Sequence, residues 1–381
     1  MKNLSFRQIA TLVVFFVTLG GFTILNFIIP APDRIAGERR PAEPIPDTSV
    51  SNIVDGSWTQ SFNDYAADNF VFREQLRTVR AFMTFHVFRQ SDSDGLFLHN
   101  GHIGRFMTMS EAQYYSTGLQ LRSIFDFLND DSDRNFFFAV IPCKSWYTPY
   151  RHMGINANRA MEMMREAMPD VTHIDISNSL TLEDFYRTDW HWDQTRLWGV
   201  MDTLARYMNF TVPEQPPIHD FGSWRGGYYG QLALPMRSDR MRVHAMPEHI
   251  SAHFMTNQGI RRGPIYWENR FHVTDDYGNR IRMHEDPYDI FLRGVEPVVW
   301  LRTGANTGRN LYVFRDSFGS SIAPLLALTE YYDEVILIDL RLTRGGFLSD
   351  PDMFTFSENA DILFLYSTQI MNSAELFSGI E

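Results

Sequence analysis

The chain has 381 residues, 44% of them hydrophobic and 14% aromatic, enough to bury one large core. A formal charge of −12 and the lack of any Lys/Arg run argue against a nucleic-acid partner. A single cysteine, Cys143, excludes an intramolecular disulfide and leaves the redox compartment undetermined. Cys143 closes a strand-like apolar run (Phe136–Ile141, then Pro142), which favours a packed thiol over a nucleophilic one.

Residues 9–29 form a run of 21 without a charge, preceded by Lys2 and Arg7 and followed by Pro30. As a helix rising ~1.5 Å per residue, such a run crosses a hydrocarbon core of roughly 30 Å. A signal peptide has a shorter apolar centre, roughly 7–15 residues, and a small-x-small cleavage site, which is not evident after Ile29. The expectation is an uncleaved single-pass membrane anchor (1–29) with a short cytoplasmic tail and an extracytoplasmic main domain. Arg34, Arg39 and Arg40 follow the span and blunt the charge argument for that orientation.

Residues 30–56, rich in Pro, Asp, Glu and Arg, read as a stalk. From Trp58 to Phe88 the apolar spacing predicts two helices broken near Asn69. Asp92-x-Asp94-Gly95 lacks the distal carboxylate of a calcium loop and reads as a turn, and Asn100-Gly101 predicts a hairpin. Helices are then expected over 119–128, 156–168, 194–208 (with Asp193 as N-cap) and 321–328. Strands are expected over 135–141, 171–176, 311–314, 334–340 and 361–366. Strands alternating with helices predict an α/β domain (57–381), a mostly parallel sheet covered on both faces. Residues 211–290 break this pattern and read as a β-rich insertion on the rim, with a hairpin through Asp276–Asn279.

Chemistry concentrates in Thr188-Asp-Trp-His-Trp192 and Arg315-Asp-Ser-Phe-Gly319. Two residues apart in extended chain, Asp189 and His191 project to the same side, so the carboxylate can fix the imidazole tautomer and leave the other nitrogen as a base. Ser317 lies where a buried strand turns into a helix, with Gly319 beside it, and a serine there needs such a base to become a nucleophile. Taken singly, Ser317 could cap a helix and His191 could pack among aromatics. His244, His249 and His253 raise a zinc reading, but no further ligand is marked out and a solvated loop is expected, so neither metal nor cofactor is assigned. Trp224, Tyr228 and Tyr229 beside Gly226-Gly227 suggest either a sugar-stacking rim or packing of the insertion.

Thr188–Trp192 followed by a helix, and Arg315–Gly319 after an apolar strand, resemble the DHHW family, which is similar to the SGNH-hydrolase-like domains of alginate O-acetylation proteins. Phe62–Arg73, Ile141-Pro-Cys-Lys144 and Ile338-Asp-Leu-Arg341 resemble further segments of that group, and the likeness spans residues 55–370. One departure is Trp190, which stands where the family name has its first His. The resemblance implies an SGNH-like fold and an acyl group carried on Ser317, with His191 as general base then acid and Asp189 orienting it. The Ser317 amide would help hold the oxyanion. Lys144, Arg341 and Trp192 are candidate substrate-binding or oxyanion residues, although either cation could equally form an ion pair at a strand end. The expected activity is O-acetylation of a cell-surface glycan, with a membrane acyl-transfer protein as a candidate partner. The alternatives are an esterase or deacetylase using the same triad, and a surface glycan-binding protein with a vestigial one.

Overall fold

The computed structural model describes residues 5–35, 38, 40–129, 133–256, 258–268, 272–274, 280–282, 286–294, 296–343, 347–350 and 354–373. Two compact units divide the chain: residues 1–93 with 229–235, and residues 94–228 with 236–381.

In the first unit, α1 (Phe6–Ile28) opens with a capping box in which Ser5 and Gln8 satisfy each other's amides. Its 23 residues, with a most apolar window of mean hydropathy 2.1, are long and apolar enough to cross a membrane. Helices α2 (Ser57–Asp68) and α3 (Arg73–Phe82) follow, broken at Asn69 as expected, and α3 continues as a π-helical stretch, Met83–Val87. Asp68 is buried beneath two bonds from Arg40 (2.5 and 2.7 Å) and one from the Glu43 amide, while Arg73 pairs with Glu38 at 2.6 Å. Part of the expected stalk is thereby tied to α2.

The second unit is built on an eight-stranded sheet. In chain order its strands are β1 (Arg134–Ile141), β2 (Thr172–Ile174), β3 (Ser251–Thr256), β4 (Gly259–Gly263), β5 (Val298–Arg302), β6 (Asn310–Arg315), β7 (Glu334–Ile338) and β8 (Ala360–Ser367). Their spatial order is β4-β3-β5-β7-β6-β8-β1-β2. The five strands from β7 to β2 run parallel, and β5, β3 and β4 extend the sheet antiparallel. Side chains alternate between two cores because successive strand residues face opposite ways. Leu311, Val313, Leu363 and Leu365 pack towards α6 (Trp198–Met208) and α7 (Gly319–Ala327). Tyr312, Phe314, Ile362 and Phe364 pack towards α4 (Glu111–Leu128) and α5 (Ala157–Ala167). Helices thus cover both faces of a large, mostly parallel sheet.

The hairpin at Asn100-Gly101 forms between strands 96–99 and 102–105, with both turn residues at positive φ (47° and 76°) as the type I′ geometry requires. Asp193 caps a short 3₁₀ turn, Gln194–Arg196, before α6 begins. The insertion departs most from expectation. It is β-rich, but its residues 251–263 join the central sheet rather than lying on a rim. Strands 218–224 and 239–244 form a separate hairpin, whose Trp224, Met241 and Val243 cluster with Tyr186 and Tyr288. Strands 272–274 and 280–282 pair, but the turn expected through Asp276–Asn279 lies outside the described residues.

Candidate active site

The parallel strands β1, β6 and β8 end at one edge of the sheet, and the chemistry-bearing residues follow them, where open α/β sheets hold their ligands. Ser317 sits two residues beyond β6 in the turn into α7. The turn is pinned from below by the fully buried Asp316, whose carboxylate accepts from the Phe318 amide (3.0 Å) and the Ser367 amide at the end of β8 (2.8 Å). A side chain at Gly319 would meet the Arg315 Cβ at 2.6 Å, so the close approach of strand and helix start requires glycine. Among the described residues, the Ser317 amide donates to no other group.

His191 lies opposite. Its Nε2 is 2.7 Å from Ser317 Oγ, and its Nδ1 is 2.7 Å from Asp189 Oδ1. Asp189 Oδ1 also accepts the His191 amide at 3.0 Å, and Oδ2 accepts the Gly227 amide at 2.8 Å. With Asp189 Oδ1 against Nδ1 and Ser317 Oγ against Nε2, the geometry suits a proton held on Nδ1 and a basic Nε2 facing the serine. The Asp189–His191 segment is not the extended strand its spacing suggested. It is a tight loop closed by the Phe185–Trp192 bridge and the Tyr186 N–H···O=C His191 bond (3.0 Å).

Three distant segments hold that loop. Buried Asp239, from the insertion, accepts from the Arg187 and Thr188 amides (2.7 and 2.8 Å) and from the Thr188 hydroxyl (2.5 Å). Burial raises its carboxyl above the ordinary range, with those donors pulling it back. Gly226 donates its amide to Thr188 Oγ1 at 2.8 Å, and the Gly226-Gly227 backbone packs directly on Asp189 and Trp190. From the insertion too, Tyr288 stacks face to face on the His191 ring, with centroids 3.7 Å apart and planes 4° from parallel, and donates its hydroxyl to Ser321 at 2.8 Å. The Trp190 indole N–H donates to His191 Nε2 at 3.1 Å, the nitrogen that also faces Ser317.

Sequence expectation and structure part at several residues. Lys144 is buried beneath the loop, and its Nζ donates to the carbonyls of Tyr186 (2.6 Å), Arg187 (3.2 Å) and Asp189 (2.8 Å). It braces the loop backbone rather than offering a cation to substrate. Burial lowers its ammonium to about 7, against the pull of Asp239 and Asp189. Arg341 forms a two-pronged pair with Asp339 (2.7 and 2.5 Å), the ion pair at a strand end. Trp192 is fully buried, with its N–H committed to Ser321 Oγ (2.8 Å) and the Phe318 carbonyl (3.2 Å), so it packs the core and is no oxyanion donor. Trp224 and Tyr228 are buried too, which gives them packing roles instead of a sugar-stacking rim.

The three histidines read as a loop lie apart. His244, on a strand, accepts from the Trp198 indole at 3.0 Å, His249 pairs with Glu330 at 2.8 Å, and His253 sits on β3. Among the described residues no group of three His, Cys, Asp or Glu side chains could hold a metal ion. Sequence reasoning missed Asp239, Gly226-Gly227 and Tyr288 as parts of the site. Only the adjacent glycines carried a signal, since such a pair permits backbone to approach another segment closely.

No family pattern and no curated protein matches the sequence. Solved structures do match its fold. A DHHW family protein from Eubacterium siraeum aligns over 76% of this chain and 96% of its own, at 16% identity and a TM-score of 0.59. Bacillus cereus PatB1, in a structure with a sulfonyl adduct, aligns over 75% of this chain and 98% of its own, at 15% identity and a TM-score of 0.56. The O-acetyltransferase domain of Pseudomonas putida AlgJ matches far more loosely, at 11% identity over 73% of this chain and 92% of its own, with a TM-score of 0.39. In fold, this chain is similar to the DHHW family protein and to PatB1.

Proposed function

We propose that the chain is a membrane-anchored serine acyltransferase that O-acetylates a cell-surface polysaccharide outside the membrane. The observation that carries this reading is the unbroken line from Asp189 through His191 to Ser317, with 2.7 Å at each contact, beside an uncommitted Ser317 amide. The Ser317 hydroxyl attacks the acyl carbonyl of a donor ester while its proton passes to His191 Nε2. The oxyanion forms against the Ser317 amide. Collapse expels the donor's alkoxide, which takes the proton from Nε2, and the acyl group remains on Ser317. A sugar hydroxyl then loses its proton to Nε2, attacks the acyl-serine and leaves as the acetyl ester, with the serine reprotonated. Asp189 stays ionised throughout and stabilises the imidazolium.

The apolar α1 supports anchorage, and the fold likeness to PatB1, which was captured as a sulfonyl adduct, supports a reactive site of this architecture. The test is intact-mass detection of an acetyl adduct after exposure to an activated acetyl ester, in wild type and Ser317→Ala. Wild type should gain one acetyl group and pass it to polysaccharide faster than to water, and the variant should do neither. Faster release to water than to any sugar makes the chain an esterase. Folded wild type that never labels refutes both readings.

A further inference from the structure

We propose that α3 and its π-helical continuation lie flat in the headgroup boundary of a lipid bilayer, as a second, interfacial contact beside the spanning helix. This rests on the reading of α1 as a membrane anchor. Phe72, Leu76, Val79 and Phe82 are all exposed, and at 100° per residue they fall within about 120° of arc, a single apolar stripe. Val87 and Phe88 carry exposed apolar surface further along the chain.

The other side of the helix is already engaged. Arg77 donates to the Gly230 and Gln231 carbonyls (2.8 and 2.6 Å), Thr78 donates to the Ala233 carbonyl (2.9 Å), and Ala81 is buried. The stripe is therefore not the side that folding covers.

What covers it follows from where α3 starts. The Val71 amide donates to Asn26 Oδ1 at 2.7 Å, and Phe70 stacks on Phe22 with centroids 5.5 Å apart. Asn26 and Phe22 lie in the last two turns of α1, within about 9 Å of its C-terminal end at ~1.5 Å per residue. The chain thus enters α3 at the depth where α1 leaves the hydrocarbon. An amphipathic helix at that level buries its apolar side roughly 5–10 Å into the boundary between headgroups and acyl chains. Arg80 borders the stripe, and its aliphatic stem can lie along the acyl chains while the guanidinium stays among headgroups.

The experiment uses the full chain in vesicles of phosphatidylcholine and phosphatidylglycerol, in a Cys143→Ala background checked for native circular dichroism. Single cysteines replace Val79, Phe82, Glu74 (exposed, outside the stripe) and Leu12 (within the span), each carrying a nitroxide. Labels at 79 and 82 should be several-fold more accessible to oxygen than to an aqueous nickel chelate, and the label at 74 the reverse. If position 12 is immersed while 79 and 82 are as open to nickel as 74, the interfacial contact is refuted and the anchor stands. If 79 and 82 are shielded from both reagents, a protein surface covers the stripe and the proposal fails. If position 12 is itself aqueous, the anchor reading falls and this proposal with it.

Discussion

Gly226→Ala tests whether the site depends on a backbone contact that carries no chemistry of its own. A Cβ at residue 226 would lie 2.5 Å from Asp189 Oδ2 and 2.6 Å from its Cα, where ordinary contact starts at 3.4 Å, a shortfall of about 0.8 Å at the Cα. Neither side yields easily. The Gly226 amide holds Thr188 Oγ1, the Gly227 amide holds Asp189 Oδ2, and Asp239 clamps the loop from the insertion. Asp189 must therefore shift by close to 1 Å, carrying His191 off its line to Ser317. Misplacement of that size costs on the order of 10²-fold in rate, about 2.7 kcal/mol of barrier. Overpacking adds about 1–3 kcal/mol of destabilisation. Gly118→Ala, where a Cβ meets the Ala167 side chain at 2.8 Å on α4, supplies a control for overpacking away from the site. The assay is kcat/KM on an activated acetyl ester, with urea unfolding alongside. Gly226→Ala should lose both activity and stability, and Gly118→Ala stability alone. Wild-type kcat/KM in a folded Gly226→Ala protein would refute the reasoning.

Asp189→Asn replaces an acceptor of the Nδ1 proton with an amide that can donate to it, so kcat should fall by about 10⁴ without loss of fold; circular dichroism and ester turnover check both halves. Lys144→Met removes the donor beneath the Tyr186, Arg187 and Asp189 carbonyls. Urea unfolding should register a loss of about 3 kcal/mol, since an unsatisfied buried acceptor costs about 1–3 kcal/mol. His102 is buried, and desolvation, reinforced by Lys144 and Arg187, lowers its pKa from 6.5 to about 3. The unfolded chain then binds a proton below about pH 6.5 that the folded state refuses until about pH 3, so this group removes stability as pH falls through that window, by at most about 1.4 kcal/mol per unit. His102→Phe should flatten the fall in Tm between pH 6.5 and 4 relative to wild type; parallel curves would contradict it.

What was legible in the sequence was whatever its local patterns encode. The apolar runs at 135–141, 311–314 and 361–366 became central parallel strands because strands buried on both faces leave continuous hydrophobic sequence. The break at Asn69 and the turn at Asn100-Gly101 were visible because each is set by a few neighbouring residues. Asp189, His191 and Ser317 were legible as residue types at suitable places, and the structure brings them together. The supports were not. Asp239 reaches Thr188 across 51 residues, and Tyr288 reaches His191 from an insertion without periodicity. Val298–Arg302 is a strand that follows closely on this aperiodic stretch, and it was not singled out. Lys144 and Trp192 show a different limit. A cation after a strand, or a tryptophan beside a histidine, can face a ligand or the interior with the same sequence, and only burial decides.

The parallel stacking of Tyr288 on His191 bears on how transfer and hydrolysis could diverge. With one ring surface covered at 3.7 Å and the tyrosine oxygen anchored to Ser321, the imidazole cannot tip to greet partners from different directions. Whatever hydroxyl arrives second must come along the path the serine proton took. If the proposed transfer operates, water and sugar compete for a single approach lane, and substitutions in its walls change the acceptor without touching the groups that take up the proton.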